Sequence, residues 1–378
     1  MKLLHTADWH VGRTMRGRSR EDEHRQVLAE VAAVASEEQV DLTLVAGDLF
    51  DSPAPTPVAE EIVYRALLDL AQVSPVVVVA GNHDHPGRLR AVTPLLELGR
   101  VSVGSLPKRP EEGGVVAVPG LPMRVVMVPF ISKRGIVRTE QILALDSNQL
   151  ATEYATRVER IIEAMCAGLP SDTVNILIGH LMVAGGQTGG GERTAHLFDY
   201  AIPALAFPGF LSYVALGHLH RPQRIPAPAP VWYAGSPLQL DFGEEQDRKA
   251  VLVVEAEPGL PAQVREQPLT AGRRLRTVRG TLAQVEAAAG EMADDFLRVI
   301  LEEGARVGLA ETVRELLPGA VEIRLDPGFA ATEPVTPRRL GRDPSELFRE
   351  YLAWRQIDDP PLAELFDELV AASQEVEG

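Results

Sequence analysis

Apolar residues in this chain cluster into short, nearly unbroken runs, and the stretches between them repeat at helical spacing. Lys2–Thr6, Leu42–Ala46, Val76–Ala80, Val125–Val128, Val174–Ile178, Tyr213–Leu216 and Val251–Val254 read as strands buried on both faces. Between the first of them, Asp22–Glu37 places Val27, Leu28, Val31 and Val34 on one helical face, and Val58–Leu70 reads as a second helix. This alternation over residues 1–255 predicts a layered α/β domain with a largely buried sheet.

The pattern changes near residues 256–272, where Glu257-Pro258-Gly259-Leu260-Pro261 is a cluster of chain breakers. Arg273–Arg279, Leu282–Met292, Phe296–Leu301, Leu309–Leu317 and Val321–Leu325 then read as strand, helix, strand, helix and strand. The expected domains are therefore 1–268, a small domain over 269–330, a linker over 331–344 carrying Pro334, Pro337 and Pro344, and a tail over 345–378. In the tail, Leu347, Phe348, Tyr351, Leu352 and Trp354 mark one amphipathic helix. Pro360-Pro361 reads as a break, and Leu362, Leu365, Phe366, Leu369 and Val370 mark a second helix. Helices this short are marginal alone in water, so their apolar faces need a surface, either on this chain or on a partner.

Composition narrows the setting. No run approaches the roughly 18 apolar residues of a membrane span. The opening Met1–Asp8 is too polar for a signal peptide, and Cys166 is the only cysteine, which together predict a reducing cytoplasm. The net charge of −16 sits awkwardly with a nucleic-acid partner, but it is unevenly spread. Residues 1–150 hold 16 Lys/Arg against 19 Asp/Glu, whereas residues 341–378 hold 3 against 10.

The candidate chemistry comes in packets: Asp8-Trp9-His10, Gly47-Asp48, Gly81-Asn82-His83-Asp84, Gly179-His180 and Gly217-His218-Leu219-His220. Most follow a predicted strand, so Asp8, His10, Asp48, Asn82, His180, His218 and His220 would meet on one rim. They offer only oxygen and nitrogen donors, which suits Mn²⁺, Fe²⁺ or Zn²⁺. Seven ligands exceed one tetrahedron but suit two adjacent ions if a carboxylate bridges. Such a pair clamps both oxygens of a phosphoryl displacement and lowers the pKa of a bound water. A glycine before Asp48, Asn82, His180 and His218 lets the backbone turn sharply and approach closely.

His83 is the candidate proton donor to the leaving oxygen. Asp84 would either orient it or brace the loop. His5, His24, His85 and His196 read as ordinary structural histidines, with His85 the one nearest to a substrate role. Arg13, Arg16, Arg18 and Arg20 follow the first packet and are candidate DNA-phosphate contacts, or else a solvated loop. The glycine-rich Gly185–Gly191 reads as a loop near the site. No G-x-x-x-x-G-K-[ST] loop is present, so ATP is not expected to be a cofactor of this chain.

The packets, in order, resemble the calcineurin-like metallophosphoesterase superfamily. A narrower resemblance, to the SbcD family of nuclease subunits of bacterial SbcCD complexes, is carried by Leu3–Gly12, Ala46–Asp51, Tyr213–Gln223 and above all Tyr233–Glu244. It covers residues 1–255 well, and the rest in layout more than in motif. It implies a four-layer sandwich of two mixed sheets flanked by helices, a small α+β capping domain and C-terminal helices. It also implies two Mn²⁺ ions, other divalent ions being an option. One would lie on Asp8, His10, Asp48 and His220, the other on Asp48, Asn82, His180 and His218, with His83 catalytic. The implied activity is a DNA nuclease, a 3′–5′ double-strand exonuclease and single-strand or hairpin endonuclease serving end processing, recombination, repair and replication. The implied partners are DNA, an SbcC-type ATPase docked on the C-terminal helices, and a second copy of the chain within a heterotetramer, through Asp22–Glu37 or Val58–Leu70. The competing readings are a stand-alone metallophosphatase or cyclic-nucleotide phosphodiesterase, and a non-catalytic scaffold. Archaeal and eukaryotic relatives often have His where this chain has Asp51, which leaves that residue's role open.

Overall fold

A computed structural model describes residues 1–133, 147–190, 200–292, 294–329, 343–355, 357 and 359–376. Most of the predicted linker 331–344, together with His196 and Gly191, lies outside them.

Two six-stranded sheets form the centre. The first runs β12-β11-β1-β2-β3-β4, built from Gln263–Pro268, Ala250–Glu255, Lys2–Thr6, Leu42–Val45, Val76–Val79 and Val101–Gly104. In it β1 to β4 are parallel, while β11 and β12 are antiparallel additions at one edge. The second runs β5-β6-β7-β8-β10-β9, built from Val115–Ala117, Met123–Val128, Val174–His180, Tyr213–Gly217, Val231–Tyr233 and Gln223–Ile225. Here β6, β7, β8 and β10 are parallel and the outer strands antiparallel.

Side chains alternate across each strand, and that alternation makes the layers. Leu4, Val45, Val76 and Val78 face outward onto helices α1 (Glu21–Glu37) and α2 (Pro57–Val73), meeting Val27, Val31, Ile62 and Leu67. Their neighbours Leu3, Leu44, Val77 and Val79 face inward and pack on Val125, Ile176, Ile178 and Ala215 of the second sheet. The far face of that sheet, Val126, Leu177, Val214 and Leu216, is covered by Tyr154, Val158 and Ile162 of the helix Ser147–Cys166. The fold is thus the expected four-layer sandwich of two mixed sheets between helices. Each fully buried Leu or Val contributes about 1.5–3 kcal/mol relative to exposure.

A third sheet, β13-β14-β15 (Leu275–Gly280, Phe296–Leu301, Ala320–Leu325), follows with helices Leu282–Ala287 and Leu309–Leu316. Residues 1–301 and 308–324 form one compact unit, and residues 302–307 and 325–378 a second. Within the second unit, helices Pro344–Trp354 and Pro360–Val376 pair, with the rings of Phe348 and Phe366 stacked at 4.0 Å between centroids. Pro360-Pro361 opens a helix where a break was expected, because proline fits the first turn, whose N–H groups have no partner anyway. The helix expected over Leu282–Met292 ends at Ala287 and continues as a 3₁₀ turn over Ala289–Met292.

Candidate metal centre

The carboxyl ends of β1, β2, β3, β7 and β8 lie at one edge of the sandwich, and the packets leave from them. Pairing of β1 with β2 continues past the strands. The N–H groups of Asp8, His10 and Val11 donate to the carbonyls of Gly47, Asp48 and Leu49 at 3.0 Å. The two loops therefore travel together and deliver Asp8, His10 and Asp48 to one place.

Close approach sets the glycine positions. A Cβ on Gly81 would overlap the carboxylate of Asp48, and one on Gly217 would overlap the carbonyl of Ala46. The backbone is also strained where it presents donors. Asp8, His10, Asp48 and His218 have φ of 51°, 46°, 50° and 107°. Such conformations cost roughly 1–3 kcal/mol each in a residue with a side chain and cluster at functional sites.

The structure brings all seven candidate ligands together. Donor atoms of Asp8, His10 and His220 lie within 4.8 Å of one another, as do those of Asp8, Asp48 and His180, and those of His10, Asp48 and His83. Asn82 Oδ1 lies 2.9 Å from both His180 Nε2 and His218 Nδ1, and those nitrogens are 3.3 Å apart. Asp48 Oδ2 stands between the two groups, 3.5 Å from His10 Nε2 and 3.4 Å from His180 Nε2. Asp8 is held by its partner loop, its carboxylate accepting the N–H of His218 at 2.9 and 3.1 Å.

Hydrogen bonds on the far side of the rings fix how each ring is turned. His180 Nδ1 donates to the Ala46 carbonyl at 2.9 Å, and His220 Nδ1 to Glu244 Oε1 at 2.9 Å. A ring so held turns its Nε2 inward. His180 Nε2 faces two oxygens, Asn82 Oδ1 at 2.9 Å and Asp48 Oδ2 at 3.4 Å, which a proton on that nitrogen satisfies here and a cation would satisfy in its place. His10 is buried and, among the described residues, neither of its ring nitrogens makes a hydrogen bond, with carboxylate oxygens of Asp48 and Asp51 each 3.5 Å away. A buried polar group left unmet costs about 1–3 kcal/mol. These residues fit divalent cations of the borderline, oxygen- and nitrogen-binding kind.

Charge follows the same geometry. Burial pushes the Asp8 carboxyl up to about 7, and His180 and His220 pull against that. Burial also opposes the charge on Asp48, but His180 and His10 outweigh it and hold that carboxyl below its usual range. His10 is lowered to about 4 by burial. His180 is raised to about 9, because Asp48 and Asp8 overcome its burial. Protonation of Asp8 and His180 thus supplies positive charge beside Asp48 that a bound cation would supply instead.

His83 is half-buried. Its Nδ1 donates to the carbonyl of Asp51 at 2.8 Å, and its backbone N–H donates to Asp48 Oδ1 at 2.8 Å. Asp84 braces the loops: its carboxylate accepts the N–H groups of Leu49, Phe50 and Gly81 at 3.3, 3.1 and 2.8 Å. Asp51, whose role the sequence left open, lies 3.5 Å from His10 Nδ1 and 3.1 Å from the Arg13 guanidinium.

The four arginines part company. Arg13 is partly exposed beside Asp51. Arg16 binds Glu322 at 3.0 Å and Arg18 binds the Pro318 carbonyl at 2.6 Å, both on the small sheet's side. Arg20 is buried, its guanidinium held by Glu23 and the Gln239 carbonyl, so it is not presented to a phosphate. His5 bonds Tyr213 Oη at 2.9 Å, His24 bonds the Arg20 carbonyl at 2.9 Å, and His85 caps helix α3 (Pro86–Leu98).

Sequence reasoning missed Glu244 and Lys249. Both are buried, with Lys249 Nζ 2.7 Å from Glu244 Oε2, and together they back His220. Glu244 closes the stretch Tyr233–Glu244 that carries the narrower family resemblance, and that was the signal available.

A calcineurin-like phosphoesterase profile matches residues 1–222. The SbcD subunit of the SbcCD nuclease of Bacillus subtilis (strain 168) is 34% identical, the match covering 86% of this chain and 85% of that one. Its counterpart in Rhodobacter capsulatus is 32% identical, with 92% of each chain covered. That of Escherichia coli (strain K12) is 30% identical over 78% of this chain and 74% of its own. With its strand-end donors and the Tyr233–Glu244 segment in place, the chain belongs to the calcineurin-like phosphoesterases and, within them, to the SbcD family of SbcCD nuclease subunits.

Proposed function

We propose that the protein is a divalent-metal DNA phosphodiesterase, with two Mn²⁺ ions as the working cofactors. It cleaves duplex ends in the 3′–5′ direction and single strands or hairpins internally, in partnership with an SbcC-type ATPase in the cytoplasm. The observation that carries this reading is the convergence of Asp8, His10, Asp48, Asn82, His180, His218 and His220, with Asp48 Oδ2 about equally near His10 and His180.

Asp8, His10, Asp48 and His220 would hold one ion, and Asp48, Asn82, His180 and His218 the other. When bound, such a pair supplies Lewis acidity and a nucleophilic water near neutral pH. The chain's own residues do the rest. Asp84 ties the Leu49-Phe50 loop to Gly81, so the donors stay fixed while a substrate enters. His83, with Nδ1 anchored on the Asp51 carbonyl, presents Nε2 as the proton donor to the leaving 3′-oxygen as the P–O bond breaks. Arg13 stands at the same loop as a phosphate contact.

The test is cleavage of hairpin DNA, a cyclic nucleotide and a small phosphate monoester under Mn²⁺, with chelator controls. Metal-dependent cutting of the hairpin, with the small substrates turned over at most slowly, is expected. Preference for the monoester or the cyclic nucleotide would instead support a stand-alone phosphatase or phosphodiesterase.

The tail gives a separate expectation. Leu362, Leu365 and Leu369 lie along one stripe of helix Pro360–Val376 and are 38%, 51% and 60% exposed. That is the shape of a helix prepared for an apolar groove. Deleting residues 341–378 should abolish co-purification with the ATPase and leave metal content unchanged. Retained binding would remove the tail from the interface.

A further inference from the structure

The segment Ser236–Lys249 touches the candidate metal centre on one side and the three-stranded sheet on the other. Toward the centre, Glu244 Oε1 accepts from His220 Nδ1 at 2.9 Å. Glu244 Oε2 accepts the Leu240 N–H at 3.0 Å and the Lys249 ammonium at 2.7 Å. Lys249 also reaches the His220 carbonyl at 3.0 Å and Ser236 Oγ at 2.9 Å. Glu244, Lys249 and Ser236 are all buried, so no water competes for these groups and His220 is gripped at both its ring and its backbone.

Toward the small sheet, the same segment carries strand β13. Gln239 Oε1 accepts the N–H of Leu275 at 2.7 Å, and Glu245 Oε2 accepts the N–H of Thr277 at 2.9 Å. These donors are two residues apart on an edge strand, so they point the same way, off the side that β14 does not cover. Gln239 Nε2 then donates to the carbonyls of Glu244, Glu245 and Asp247 at 3.0, 3.1 and 3.2 Å. One amide thereby joins the strand to the turn that bears Glu244. Between the anchors, Phe242 packs with Met15, Leu275 and Phe296, and the Arg298 guanidinium lies 4.3 Å over its ring.

We propose that this segment is a coupling element. The seating of the three-stranded sheet on Gln239 and Glu245 sets the turn that carries Glu244. Glu244 and Lys249 in turn set His220, so the sheet's seating controls the affinity of the ion position built from Asp8, His10 and His220. Among the described residues, Asn82, His180 and His218 make no hydrogen bond to this segment, so the position they build responds less. Gln239, Glu244, Glu245 and Lys249 are positioning residues in this scheme. The proposal rests on the two-ion reading above.

The experiment is calorimetric titration of the full-length, metal-free protein with Mn²⁺. Wild type is expected to take up two ions. The double variant Glu244→Gln/Lys249→Met removes both buried charges together, leaving neither unpaired, and should weaken one ion about 10–100-fold and the other far less. Glu245→Ala, which touches no candidate ligand, should weaken the same ion by about 5-fold or more. Glu245→Gln keeps an acceptor for the Thr277 N–H and should restore it. If the double variant does not fold, the two Glu245 variants carry the test alone. Wild-type affinities in Glu245→Ala, or equal weakening of both ions, would overturn the coupling. Fewer than two ions on wild type would overturn the two-ion reading instead.

Discussion

An Asp48→Asn protein is expected to lose at least one ion and about 10³-fold or more in DNA cleavage. The change isolates charge from scaffold. Asn keeps an oxygen where Asp48 Oδ1 accepts the His83 N–H at 2.8 Å, so the Gly81–Asp84 loop keeps its anchor. What disappears is the negative charge at Oδ2, which stands 3.5 Å from His10 Nε2 and 3.4 Å from His180 Nε2. A bridging carboxylate serves both ion positions, and Lewis-acid stabilisation is worth several kcal/mol, at about 1.4 kcal/mol per tenfold in rate. Elemental analysis beside a hairpin-cleavage assay reads both effects. Two ions retained with undiminished cutting would exclude Asp48 as the bridge.

The second large effect is at His83. His83→Ala should lower kcat for DNA by about 10²–10⁴-fold and leave both ions bound. The contact with Asp48 runs through the backbone N–H, which alanine retains, so the ligand set is not disturbed. Because the proposed role is to protonate a poor leaving group, the loss should shrink sharply on a p-nitrophenyl phosphodiester, whose leaving oxygen needs no proton. An equal loss on both substrates would point to a role in binding or positioning.

The strands that carry the site were legible because they are buried on both faces and therefore almost wholly aliphatic, as in Val76–Val79. The elements that escaped lack that signature. Gln263–Pro268 is an edge strand with one side in solvent, and its sequence, Gln-Val-Arg-Glu-Gln-Pro, has little apolar content to betray it. Val231–Tyr233 is three residues long and follows a run of alternating prolines. Helix α3 contains Pro94 and exposes Leu95 and Leu98, which blurs its periodicity.

The candidate ligands could be read from sequence because each packet has its own residue types after a strand. Their supports could not. Glu244 is one acid among many until the fold brings it to His220, and Arg20 resembles its exposed neighbours until Glu23 and Gln239 are seen to absorb its charge. Burial of a charged group depends on partners that the chain supplies from elsewhere.

The donors on β1, β2 and β3 belong to one sheet and those on β7 and β8 to the other, and between those strands the sheets meet through a mostly aliphatic face. Cations gripped from both sides would act as rivets across that otherwise slippery seam. The amides of His218 and His83, whose acceptors are the carboxylates of Asp8 and Asp48, sit beside the rivets. Chelation would therefore remove one set of ties between the slabs and leave hydrogen bonds such as His180 to Ala46 and His218 to Asp8 to hold this rim, linking rigidity of the sandwich to readiness for chemistry.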